Sequence, residues 1–237
     1  MPHQKITQAA LDSLPRRVLS RFGAETGKLA TLYCLYPDRY AEMLQFGFVR
    51  KSEGPRSAEE IRRYCVRPDG QSVHGATGDR ETDLESMIFL FERILSSFSA
   101  RRPGEAAKYA GVLAHFIEDS LSPPHAAEIE AGAHAALERS VPEFTLAGRV
   151  PHAGPGNLLQ TAEALLDRIY AVRERNRQDL PEMIKAVASH EDQALDTYRR
   201  RAAVAAAEIL ADALAAVTAG LPEAAILPPD LRAQYSF

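Results

Sequence analysis

Tryptophan is absent from the chain, and cysteine occurs only as Cys34 and Cys65. Two thiols without C-x-x-C spacing give neither a disulfide framework nor a thiolate metal site, so the expectation is a pair of reduced cysteines. Long apolar runs are also lacking. The most apolar stretch, 202–217, is rich in alanine and interrupted by Glu208 and Asp212, which makes it an amphipathic or core helix and not a membrane span. No apolar run precedes a small-residue cleavage site near the N-terminus, so the expectation is a cytoplasmic protein without a signal peptide. Fourteen glycines and fifteen prolines are too few and too scattered for a collagenous or low-complexity chain. Basic excess is missing as well: 28 Lys and Arg against 32 Asp and Glu leave a net charge of −4. No overall field draws the chain onto nucleic acid or anionic lipid. A phosphate-bearing substrate stays open, because a bound metal brings positive charge that composition does not count.

What the sequence does have is helical periodicity. At 237 residues the chain suits one domain over 1–237 with a sizeable core. Met87, Ile88, Phe91, Ile94, Leu95 and Phe98 form one apolar helical stripe. Pro103 suits a first helical position, and Tyr109, Leu113, Phe116 and Ile117 continue a helix to about Leu121, where Pro123 and Pro124 stop it. Further helices are expected over 5–13, 16–36 with a break at Gly23, 38–46 after a stop at Pro37, 126–139, 158–175, and from Pro181 to about 219. The segment 50–81 is irregular apart from a turn of helix at 58–64, and the proline-rich tail 221–237 is expected to pack back across the body. No segment alternates with period two, so the fold class is all-α.

Seven histidines carry the chemical information. In His-Phe-Ile-Glu-Asp-Ser-Leu-Ser-Pro-Pro-His, residues 115–125, His115 and Asp119 leave one helix face a turn apart, where imidazole and carboxylate can grip one cation. The double proline then turns the chain so that His125 can return to the same region. His134 and Glu138 repeat the spacing on a second helix. Two helices each presenting a His and an acid, joined by a third His at a tight turn, form the kind of metal constellation that helical proteins build. His152, in a Pro/Gly loop, and His190, in a charged stretch of the last helix, are read as ordinary surface residues. The Arg199-Arg200-Arg201 run is read as a solvated face.

The His-x3-Asp-x5-His run, with Pro123 two before His125 and followed by His134-x3-Glu138, resembles the zinc-dependent phospholipase C and S1/P1 nuclease superfamily. The similarity spans about 1–138, and the C-terminal part matches only in being helical. The resemblance implies a single-domain, multi-helix bundle holding up to three zinc ions that hydrolyses phosphate esters. It further implies that Asp38, His74, His115 and a bridging Asp119 hold one zinc. His3, Asp119 and the N-terminal amine and carbonyl would hold a second, and His125, His134 and Glu138 the third. Asp69, five before His74, is the alternative to Asp38 in the first set. By the same resemblance Asp38 is the catalytic residue, ligating and accepting the proton of the nucleophile. Glu138 looks like the phospholipase branch, since the nuclease branch carries an aromatic-Asp there and a Gly-Gly-Asn run that this chain lacks. The expected substrate is therefore a small-molecule or lipid phosphodiester. Single-stranded nucleic acid is the second expectation, and a non-catalytic helical protein with a structural zinc the third.

Overall fold

The elements follow the apolar spacing of the sequence in a computed structural model that describes residues 2–146, 148–152 and 157–219. They are α1 (Pro2–Asp12), α2 (Arg16–Phe22), α3 (Thr26–Thr31), α4 (Tyr36–Phe46), α5 (Ala58–Cys65), α6 (Arg80–Ser99), α7 (Pro103–Leu121), α8 (Ala131–Glu138), α9 (Leu158–Ala188) and α10 (Asp192–Thr218). Short 3-10 turns lie at Gly23–Glu25, Tyr33–Leu35 and Pro123–His125. Among the described residues no strand forms, and a lone bridge pairs Val66 with Ser72.

The centre is α7. It packs against α6, α9 and α10 and against the short helices of the N-terminal third. From Ala106 onward almost every residue is buried, whichever way it points. A helix apolar on all sides belongs in the middle of a core. Its few polar residues, His115, Glu118, Asp119 and Ser120, are therefore buried too and must find partners inside the protein.

Gly111 explains how the N-terminal third reaches this helix. A Cβ there would stand 2.3 Å from Tyr33 Cβ and 2.5 Å from the Tyr33 carbonyl carbon. Only a glycine lets the Tyr33–Leu35 turn lie against α7. That contact sits one helical turn before His115, and α4, which carries Asp38, follows directly from it.

The irregular stretch before α6 is held by polar contacts more than by apolar ones. Asp83, fully buried, accepts from the Thr77 amide (2.7 Å), the Thr77 hydroxyl (2.9 Å), the Gly78 amide (3.1 Å) and the Tyr170 hydroxyl (2.6 Å). The Ala76 amide donates to Ser120 Oγ at 2.8 Å. Gly75 lies so close to α7 that a Cβ would be 3.0 Å from Asp119 Cβ. These contacts set His74 down beside α7.

Several boundaries differ from expectation. The helix expected over 16–36 is four short pieces, broken at Gly23 and again at Leu32, whose φ of −133° leaves helical space. Pro37 does not stop a helix: it occupies the first turn of α4, where its missing N–H costs nothing. The helix expected from Ala126 begins only at Ala131. Pro181 does not open the last helix but lies inside α9, on its exposed side. The break comes at His190, a non-glycine residue at φ 55°, where the Glu191 amide bonds the Ala186 carbonyl (2.9 Å) and the His190 amide bonds the Val187 carbonyl (3.2 Å). That pairing is a Schellman-type helix end. Arg199 corrects the solvated-face reading: it is 6% exposed. The tail at 221–237 lies outside the described residues.

Candidate metal centre

The eight side chains singled out as metal ligands come together from six segments of the chain. His3 comes from α1, Asp38 from the first turn of α4 and His74 from the segment before α6. His115 and Asp119 come from α7, His125 from the turn after it, and His134 and Glu138 from α8. Among the described residues, three groups of these acids and imidazoles lie close enough to hold a cation.

The first group gathers three donor atoms, His74 Nε2, His115 Nε2 and Asp119 Oδ2, and Asp38 Oδ1 lies beside its two imidazoles. The His74–Asp119 separation is 3.0 Å, His74–His115 is 3.3 Å and His115–Asp119 is 3.4 Å. Asp38 lies 3.5 Å from His74 and 3.6 Å from His115. A tetrahedral zinc site with bonds of about 2.0–2.1 Å has edges of about 3.3–3.4 Å, so the spacing of His74, His115 and Asp119 suits one face of a zinc site. Asp69, the alternative to Asp38, is engaged elsewhere: Oδ2 takes Arg67 at 2.6 Å and Oδ1 the Gln71 amide at 3.0 Å.

His3, Asp38 and His115 make the second group, and Asp119 borders it through His3. The His3 Nε2 is 3.4 Å from Asp119 Oδ1 and 3.9 Å from Asp38 Oδ2, and the His3 ring stacks on His115 at 4.2 Å. Asp119 and Asp38 thus each turn one oxygen to His74 and His115 and the other to His3, the arrangement of a bridging carboxylate. The N-terminal amine, expected here as a further ligand, lies outside the described residues. In the third group Glu138 Oε1 is 2.7 Å from His125 Nε2 and 3.3 Å from His134 Nε2. His125 also approaches Asp119 Oδ2 at 3.9 Å, which links this group to the others.

Two partners in the site escaped the sequence reading. The His115 Nδ1–H donates to the Cys34 carbonyl at 2.8 Å, which fixes the tautomer and leaves the Nε2 lone pair facing the other donors. Glu118, 2% exposed, accepts from His3 Nδ1 at 2.8 Å and from the Thr7 hydroxyl at 2.6 Å. It orients His3 as Cys34 orients His115. A signal for Glu118 was present in His3 and Thr7, four apart on α1, but nothing local told that α1 would lie across α7. The Cys34 carbonyl leaves no trace in side-chain spacing. His152 and His190 are exposed and stand outside the groups; the His152 amide donates to Asp212 at 2.7 Å.

Asp38, Glu118, Asp119 and Glu138 put four carboxylates in one region, and its imidazoles are the nearest source of compensating charge. Burial works against a charged His115, yet Asp119 and Asp38 outweigh it and push its pKa up to about 10. Asp119 is buried as well, which opposes its charge, but His115, His74 and His3 hold it well below the usual carboxylate range. Burial raises Glu118, with His3 and Thr7 pulling the other way. For His125 burial opposes the charged form while Glu138 and Asp119 raise it, with the net shift upward. The centre demands positive charge, and either protons or metal ions meet that demand.

No family model, no characterised protein and no solved structure matches the chain. Among the described residues no helix is long and apolar enough to cross a membrane.

Proposed function

We propose that the chain is a zinc-dependent phosphoesterase of the phospholipase C and S1/P1 nuclease type, hydrolysing a phosphodiester in the manner of a phospholipase C. The observation that carries this reading is the convergence of five imidazoles and three carboxylates in three adjoining groups, with Asp119 turned toward all three. The donor set is nitrogen and oxygen without thiolate, as zinc accepts readily. Zinc ions held there would polarise phosphoryl oxygens and make water acidic enough to yield hydroxide near neutral pH.

The protein's own groups divide the remaining work. Asp119, its side chain 3% exposed, is a fixed bridge. Asp38, 36% exposed, is open to water and lies beside the His3, His74 and His115 imidazoles, and it is the group that takes the proton of the nucleophile. His115 is excluded from that role because its Nδ1 carries the proton given to the Cys34 carbonyl and its Nε2 would be taken by the metal. His74 and His134 at 36% and Glu138 at 38% leave the cluster open on one side. A structural zinc site is normally closed by four protein ligands, so this openness supports catalysis over a scaffold.

The test is zinc content and turnover together. Wild type should carry up to three zinc ions per chain and hydrolyse p-nitrophenylphosphocholine until a chelator is added. Asp119→Ala should lose two ions at once. A single tightly held zinc without turnover would establish the scaffold reading. Turnover of single-stranded DNA in preference to phosphatidylcholine would establish the nuclease or nucleotidase reading.

A further inference from the structure

The first turns of α4 bury Tyr36, Tyr40 and Met43, but the end of the helix turns its apolar side chains to water. Leu44 is 65% exposed and Phe48, just past the helix, is 60% exposed, with Phe46 between them at 39%. Gly47, at φ 75°, makes the left-handed turn that ends the helix and sets the Phe48 ring 6.3 Å from that of Phe46. Val49 packs on the core, so the chain on either side of the two rings is anchored and the rings are held outward. One exposed apolar side chain is ordinary, whereas three gathered at one helix end mark a surface that another body covers. The charges around them indicate which. The Arg50 guanidinium lies over the Phe46 ring at 4.7 Å, with Lys51 exposed next to it in sequence. Glu42 flanks Leu44 on the other side. Among the described residues none of these three makes an ion pair within the chain. An anionic membrane would favour bases alone, and Glu42 opposes it. A patch with a base at one end and an acid at the other is complementary to itself.

We infer that the end of α4 pairs with the same surface of a second copy of this chain, about a twofold axis passing near Phe46. Each Leu44 then packs against the partner's Phe48, and each Glu42 meets the partner's Arg50. The patch is small, so the dimer is weak, below the ~1,200 Å² of a standard interface and micromolar in its dissociation constant. Its formation does not depend on the phosphoesterase reading. The pairing does bear on the metal centre, because Glu42 follows Asp38 by four residues on one face of α4. The partner's Arg50 is thereby brought within about a helical turn of the open side of the cluster, where carboxylates gather.

The experiment measures mass in solution and is independent of turnover. Sedimentation equilibrium of the full chain, metal-free and zinc-loaded, is run over roughly 5 to 500 µM, the range a weak interface requires. Wild type is expected to pass from monomer to dimer in both forms, and Phe48→Glu to stay monomeric throughout. Glu42→Lys and Arg50→Glu should each weaken the dimer about tenfold or more, since each sets like charges against one another. An equimolar mixture of those two variants should associate as wild type does, because every facing pair is then of opposite sign. Wild type that stays monomeric, a Phe48→Glu dimer of undiminished strength, or a mixture that fails to recover would each overturn the inference. So would binding of monomeric wild type to phosphatidylserine–phosphatidylcholine vesicles that Phe48→Glu abolishes, which would give the patch to lipid. Should Phe48→Glu fail to fold, the two charge variants and their mixture decide. Hydrolysis of the chromogenic ester by a chain that never dimerises removes the pairing and keeps the phosphoesterase. A dimer without zinc uptake does the reverse.

Discussion

His115 and Asp119 stand on a helix buried on every side, whereas His134 and Glu138 stand on an eight-residue helix with one flank in water. The first pair is held before any ion arrives. Its tautomer is set by Cys34, its neighbours approach through Gly75 and Gly111, and both side chains are nearly inaccessible. The second pair relies on a helix too short to persist alone, tied down through Ala133 and Leu137 and by Arg199 at the Ala136 carbonyl. One half of the centre is thus a rigid socket and the other an adjustable rim. Such a division suits an enzyme whose substrate must enter and leave on one side while charge is held constant on the other.

The largest expected effect comes from cutting the residue the two halves share. Asp119→Ala should remove two zinc ions and lower hydrolysis roughly a thousandfold or more, since several kcal/mol of charge stabilisation goes with them. His134→Ala should cost one ion and leave the buried groups loaded. Equal zinc loss in the two variants, by metal analysis, would erase the distinction between socket and rim.

Next comes the packing that makes the socket. Gly111→Ala drives a methyl into the Tyr33 backbone and should cost at least about 1–3 kcal/mol in urea unfolding. It should also loosen zinc at the buried groups while the His125, His134 and Glu138 group keeps its affinity. Glu118→Gln, nearly the same in shape, tests orientation alone: zinc affinity at the His3 group should fall about 10- to 100-fold.

The smallest effect is on stability against pH. In the metal-free chain folded His115 titrates at about 10, whereas an unfolded histidine titrates near 6.5. Between those values the folded state keeps a proton that the unfolded state has released. Its stabilisation is complete below pH 6.5 and is lost as pH rises toward 10, so the melting temperature should decline across that window. Zinc-loaded protein should show no such decline, because the cation has replaced the proton. A flat profile without metal would mean that the carboxylates do not hold His115 charged.

The long helices α6 and α7 were legible because their apolar stripes are continuous, and α7 is also bounded by proline at both ends. The ligands were legible where two lay on one helix, as at His115 and Asp119. Their gathering with His3, Asp38 and His74 was expected only through the resemblance, since no local spacing reports which distant segments meet. The α9 boundary was misread because Pro181 looks like a helix start, although its ring faces water while Leu180 and Met183 beside it are buried. The true end, His190 at positive φ, uses a residue type that gives no warning. Arg199 was misjudged for a related reason: a run of three arginines on a helix fans over more than half a turn, and here the first of them falls on the packed side.

The carboxylate of Asp83 has a consequence for how this chain can change over evolutionary time. By gathering four donors it acts as a fixed peg for the strip of chain between His74 and α6, and one residue inserted within that strip would rotate the imidazole out of the socket. Upstream, exposed Lys51 and Ser52 have no such tether, and lengthening a free loop is entropically cheap. Natural variants should therefore drift in length ahead of Ser57 and keep the count from His74 to Asp83 constant.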